Sequence, residues 1–401
     1  NEMVSADRII DATRALERYI DAHAGGPGRG WFRVVTTPAD ARRVIGAGNL
    51  AVILGIETSN VFDCFVNAKP GFPRCDADLV RKKLDDYYAR GVRAVFPVHK
   101  FDNAFSAGDG NRGFIEIGNV ASSGYYGNFT NQGCPDQPSV FDRGPVTFGG
   151  MNMPRAVYDG PPPIDVSALS TSPISVLGPY LGKLSEPALP GDYCQNAGMQ
   201  ALGETLMVEM MRRGMIIEVD HMPRRTYQRA YELLQQYNYP AAGTHGNDNR
   251  GVLYKLGGVS TTGLPRCQDD ADVGRGYRAR IASIAAQGGY PAQGFGFDFN
   301  GFAGGPRPRF GKDARCSAAQ TKGMSYPFTS FGGDIEFQPP RLGDRAVDFD
   351  REGMIHIGLL PELIQDARNM GMTDADLEPL FRSAEGYLRM WERAEAQRVK
   401  Q

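Results

Sequence analysis

Ala51-Val-Ile-Leu-Gly-Ile-Glu57 is a run of mostly apolar residues closed by a carboxylate. A buried parallel strand reads as a continuous apolar run, and α/β enzymes keep their chemistry where such strands end. Four more runs repeat the arrangement: Val92-Arg-Ala-Val-Phe-Pro-Val-His99, Met215-Ile-Ile-Glu-Val-Asp-His221, Tyr239-Pro-Ala-Ala-Gly-Thr-His245 and Gly294-Phe-Gly-Phe-Asp298. Of the five histidines in the chain, His99, His221 and His245 fall at these stops. Strand ends converge in space without being close in sequence, so the set points to one shared site.

Helical signals lie between the runs. Residues 6–22 place Ile9, Ile10, Leu16, Tyr19 and Ile20 on one predicted face. Thr37-Pro38 reads as an N-cap followed by proline at the first helical position. Further helices are expected over 76–90, 199–213, 224–236 and 277–287, most of them ending at glycine. Alternating β and α elements imply a parallel sheet with right-handed crossovers. The strands read from sequence are 51–56, 93–98, 215–220, 240–244, 257–261 and 294–298. An eight-stranded (β/α)8 barrel needs two more, so the sheet is either open or has strands upstream of Asn1.

Two stretches, 101–195 and 299–345, are rich in Gly, Pro, Asn and Ser and break the alternation. Long spans of this kind usually cover a site or bind something, and both begin just after a strand-end residue, His99 or Asp298. The alternative is a surface insertion held by Cys134 and Cys194.

The composition is ordinary for a globular protein with a large core, at 41% hydrophobic and 22% charged residues. A formal net charge of −2 gives no global field toward nucleic acid or anionic membrane. No apolar stretch is long enough for a transmembrane segment. Cys64, Cys75, Cys134, Cys194, Cys267 and Cys316 lie in polar loops with no C-x-x-C pair. That pattern favours disulfides and an oxidising, secreted or periplasmic setting, with Cys64–Cys75 the expected pair because they share one short loop. Asn128-Phe-Thr130 is a glycosylation sequon.

Glu57 at the end of a buried strand must be paired, protonated or bound to a cation. Asp220 and His221 cannot both point inward by simple strand alternation, so the chain has to turn at His221. His245 starts a polar turn, and Asp298 follows small residues that permit close packing. Together Glu57, His221, His245 and Asp298 match the nitrogen and oxygen ligands of a catalytic zinc site. His23 and His356 read as ordinary structural residues.

With these residues in view, the chain resembles the membrane (renal-type) dipeptidases of the metal-dependent amidohydrolase superfamily. Gly55-Ile-Glu57 resembles the family's bridging-glutamate strand, and Val98-His99 with Asn103 its substrate-binding histidine segment. Glu218-Val-Asp-His221 and Thr244-His-Gly-Asn247 resemble its histidine-ligand strands, and Gly296-Phe-Asp-Phe-Asn-Gly301 its aspartate motif. The 376–391 stretch is similar to its closing helices. The resemblance implies a binuclear zinc (β/α)8 barrel over 1–401, whose visible strands would be the third to the eighth. An upstream segment or a homo-oligomer partner would then complete it. It also implies hydrolysis of an amide or peptide bond in a small-molecule or peptide substrate. Asp298 and His99 would be catalytic, and His99, Asn103 and Arg250 would bind substrate. Three departures stand out. No H-x-D pair precedes Glu57, neither Arg250 nor Arg266 is in clean register for the substrate carboxylate, and Asn300 replaces the motif's second aspartate. Two rival readings are a lactonase or esterase of the same superfamily and a metal-free secreted binding barrel.

Overall fold

In the computed structural model, the described residues are 2–109, 113–123, 127–148, 185–246, 251–298 and 305–400. The chain has an α/β fold and divides into two compact units. The first takes residues 1–243, 247–258 and 388–401, and the second takes 244–246 and 259–387.

The first unit opens with helix α1 (Glu2–His23), strand β1 (Phe32–Val34), helix α2 (Pro38–Gly46) and strands β2 (Leu50–Val52) and β3 (Leu54–Ile56). Thr37 caps α2 as its sequence requires, accepting from the Asp40 amide at 3.1 Å ahead of Pro38. β1 pairs in parallel with β2. It is a strand the apolar-run count passed over, because only three of its residues pair and Arg33 interrupts them. Arg33 is drawn instead to Asp21 and Glu17 of α1. Similar anchoring changes the buried face of α1: Ile10 and Met3 are buried, but Ile9, Leu16 and Tyr19 are exposed. Asp7 and Asp11 reach Arg90, so polar contacts set the helix's rotation in place of the predicted apolar face.

Helix α3 (Ala77–Ala89), capped by Asp76 on the Leu79 amide at 2.8 Å, leads into strand β4 (Val92–Val95). After the excursion come helix α4 (Ala201–Arg212), strand β5 (Ile216–Ile217) and helix α5 (Arg224–Gln236). The strands β3, β4 and β5 form one parallel sheet in that order. Register pairs Ile56 with Val95 and Val95 with Ile217. A parallel bridge from Glu218 to Ala242 extends the pattern. Parallel strands need crossovers, and α3 and α4 supply them while burying Val80, Leu84, Leu206 and Met210 against the sheet. This fixes Glu57, His99 and His221 at the same end of adjacent strands.

The described part of the first excursion holds more order than its composition suggests. Helix Phe114–Ser123 and the antiparallel pair Phe129–Thr130 with Cys194–Gln195 surround a small cluster of Val120, Phe129 and Val146. The disulfide Cys134–Cys194 staples it. Asn128 of the sequon is buried in the folded chain.

The second unit packs Leu264, Tyr277, Ala367 and Leu377 in one apolar cluster and Val347, Phe349, Met354 and Leu363 in another. Its helices include Arg275–Ala286, Leu360–Met370 and Asp374–Phe381, the last opened by a Thr373/Asp376 capping box. The expected strand 294–298 is reduced to a single parallel bridge between Thr261 and Gly294. Glycine weakens a strand interior, and Gly296 serves another purpose described below. Short antiparallel hairpins occupy the described part of the second excursion.

All six cysteines are paired, as Cys64–Cys75, Cys134–Cys194 and Cys267–Cys316. No described helix is long and apolar enough to cross a membrane.

Candidate metal centre

Glu57 is the first residue after β3, and His99 lies four residues beyond the paired end of β4. His221 follows the Glu218–Ala242 bridge in the left-handed region, at φ 66°. A non-glycine residue pays for that conformation, and here it resolves the problem posed by strand alternation. Asp220 turns inward to accept from the Tyr227 hydroxyl at 3.0 Å, while His221 swings to the sheet end. The sequence expectation that the chain turns at His221 is met by this geometry.

The three side chains meet. His221 Nε2 lies 3.1 Å from Glu57 Oε1, and His99 Nε2 lies 3.5 Å from the same oxygen. The two imidazoles stand edge to face, with ring centres 4.2 Å apart. One donor atom from each of Glu57, His99 and His221 lies within 4.8 Å of the others. His99 Nδ1 is 3.4 Å from the Ser59 hydroxyl.

Behind His221 stands a residue that motif reading did not select. Asp109 Oδ2 is 2.8 Å from His221 Nδ1 and also accepts from Lys100 Nζ at 2.8 Å. Asp109 is almost wholly buried. Burial works against its ionisation, but the bond to His221 and the Lys100 charge outweigh it and hold the carboxyl below its usual range. Burial likewise opposes protonation of His221, yet its bonds to Asp109 and Glu57 raise its pKa overall. At His99 the nearby Glu57 and Asp109 charges act the same way but are outweighed. Burial, helped by the neighbouring His221, pushes its imidazole down to about 4, so at neutral pH it is an uncharged nitrogen donor. The signal available in sequence was slight: one aspartate, ten residues after His99, in a loop of small residues.

Asn103 is buried and fully occupied with backbone. Its amide donates to Ser59 O and Pro97 O, and its oxygen accepts from the Phe105 and Ser106 amides. These bonds shape the loop that carries Asp109. A cavity of about 550 Å³, lined by Ile10, Leu54, Ile56, Glu57, His99 and Phe101 among others, opens beside the cluster.

In the second unit, His245 and Asp298 each bring a donor atom to within 4.8 Å of the other. Asp298 is itself left-handed, at φ 52°. Gly296 lets the chain pass close behind: a Cβ there would sit 1.5 Å from Thr244 O. This is the close packing that the small residues before Asp298 suggested. Arg250 lies outside the described residues. Arg266 is committed elsewhere, 3.2 Å from Asp366 and over the Phe349 ring.

The donor chemistry fits a zinc-like cation. Two imidazole nitrogens and a carboxylate converge, and the far nitrogen of His221 is held by a carboxylate, the usual outer support of a metal-bound histidine.

No protein-family model and no curated protein matches this sequence. The chain is similar to solved amidohydrolase and dipeptidase structures. An amidohydrolase from Pseudomonas aeruginosa is 12% identical, with 96% of this chain and 83% of that chain covered at a TM-score of 0.43. A metallo peptidase from Rhodobacter sphaeroides, liganded with a phosphinate mimic of the dipeptide L-Ala-D-Ala, is 14% identical over 91% and 70%, at 0.43. The metallo peptidase dipeptidase AC is 14% identical over 98% and 76%, at 0.45.

Proposed function

We propose that this protein is a metal-dependent hydrolase that cleaves an amide or peptide bond in a small substrate, on a barrel-type α/β scaffold. The observation that carries the reading is the meeting of Glu57, His99 and His221 within 4.8 Å, with His221 braced by Asp109. Two imidazole nitrogens and one carboxylate converging from adjacent strand ends offer a cation three lone-pair donors. Zinc, when bound, lowers the pKa of water to about 7 and so supplies a nucleophile at neutral pH.

In this reading Glu57 and His221 hold the metal, and the sequence motifs add His245 and Asp298 to the ligand set. His99 has two roles open to it from its position: a ligand, or the group that orients the scissile carbonyl. Its uncharged imidazole suits either. Asp298 takes the proton from the attacking water and passes it to the leaving amine. Arg250 is the proposed grip on a substrate carboxylate. Asn103 acts through the loop it shapes. Three disulfides favour a secreted or periplasmic setting.

The test combines metal analysis with hydrolysis assays on D- and L-dipeptides beside lactones, before and after chelation and zinc return. At least one zinc per chain and chelator-sensitive dipeptide cleavage are expected. Lactone cleavage alone moves the reading to an esterase, and absence of both metal and activity ends it.

A further inference from the structure

We infer that Asp109 is the positioning residue of this centre, fixing the His221 ring and its tautomer so that Nε2 faces Glu57, and that Lys100 locks Asp109 in that task. The inference rests on the metal reading above and adds a residue pair to it.

Three observations carry it. Asp109 Oδ2 is shared between His221 Nδ1 and Lys100 Nζ, both at 2.8 Å, so the carboxylate cannot rotate without losing a charged partner. The Asp109 amide donates to His99 O at 3.2 Å, which ties the same residue to the strand end that presents the second histidine. The preceding residue, Gly108, has no space for a side chain: a Cβ there would lie 2.2 Å from Lys100 O. The loop is thus pressed against Lys100 at the point where Asp109 must meet it. Its other supports are Asp102, which accepts from the Gly108 amide at 2.8 Å, and Asn103.

The physical consequence is a choice of nitrogen. A neutral imidazole carries one proton, and a carboxylate at Nδ1 keeps the proton there. That leaves the Nε2 lone pair directed at Glu57 and any cation it holds. Without Asp109 the ring can exchange tautomers and rotate, and each competing state lowers metal affinity. Loss of an outer carboxylate of this kind costs about 10–100-fold in affinity.

The experiment reads metal-free and metal-bound protein separately. In unaltered metal-free protein at alkaline pH, the ¹⁵N shifts of His221 are expected to report the Nδ1–H tautomer; a dominant Nε2–H form overturns the inference without any variant. In Asp109→Asn, zinc affinity measured by competition with a chromogenic chelator is expected to fall about 10–100-fold, and the His221 tautomer signature to change. Asp109→Glu should recover part of the affinity, which a merely structural role would not require. Equal zinc affinity in the unaltered protein and Asp109→Asn sinks this inference while leaving the metal reading intact. If the unaltered protein binds no zinc, the metal reading fails and takes this inference with it.

Discussion

Each unit of this molecule buries a knot of charge, and the two knots are built differently. In the first, Glu57, His99, His221, Asp109 and Lys100 form a chain at the end of a parallel sheet beside an open cavity. In the second, Arg309 and Arg266 share Asp366, with Asp350 nearby, against the Phe349 ring and its apolar cluster. In the first set only Asp109 and His221 are buried, while Glu57 stays exposed; in the second, Arg309 and Asp366 are fully enclosed. Burial of charge therefore does not identify a site. What differs is the chemistry of the donors. Arginine has no lone pair to offer a metal, whereas imidazole and carboxylate do. The first knot presents lone pairs of the kind a cation takes, and the second pairs its charges with one another.

Substitution at Glu57 should separate them most sharply. Glu57→Gln keeps the shape but removes the negative charge that would hold cations together, so hydrolysis should nearly vanish. The melting temperature of the metal-free protein should barely move, because packed apolar layers hold the sheet. Zinc content and thermal melting of this one variant decide the matter: retained metal with a lowered melting point makes Glu57 a structural ion-pair residue.

The converse experiment is Arg309→Met. It leaves Asp366 buried with only part of its compensation, at a cost of about 3–5 kcal/mol. Metal stoichiometry should not change. A variant that melts like the unaltered protein would show that the second knot contributes little to stability.

Acidity should act on the two knots in opposite directions. His99 is harder to protonate in the folded protein than its ordinary value of 6.5, with a pKa of about 4. Its contribution to stability is full above 6.5 and is lost as pH falls toward 4, up to about 3 kcal/mol. Asp366, raised to about 6 by burial despite its arginines, contributes most below its ordinary 3.8 and loses that contribution as pH rises through 6. Melting curves of metal-free protein between these limits should flatten from one side in His99→Gln and from the other in Asp366→Asn. Matching profiles in both variants would refute the assignment.

The smallest expected effect tests whether the loop after Glu57 belongs to the site or only to the scaffold. The Cys64–Cys75 link spans 11 residues, which corresponds to about 2–3 kcal/mol. Replacing both cysteines should lower stability by that amount while zinc affinity persists. Loss of zinc binding would make the loop part of the centre.

The sequence by itself determined the α/β alternation, the helix starts at Thr37 and Asp76, the Cys64–Cys75 pair, and the strand stop at Glu57, while the paired strands before His99 and His221 end earlier than their apolar runs, at Val95 and Ile217. These are local properties, set by apolar runs, capping chemistry and short-range chain closure. It missed strand Phe32–Val34, where pairing is too short to leave a pattern, and it misplaced the buried face of the first helix, where ion pairs overrode periodicity. Only the tertiary structure decided which charges meet. His221 and Asp109 are 112 residues apart, and nothing in either neighbourhood announces the other. Arg266, out of clean register for a substrate carboxylate in the sequence, is placed by packing on Asp366. Partnerships across such distances are chosen by how the sheet and its loops pack, because a charged side chain entering the interior must find a counter-charge wherever the fold brings one within reach.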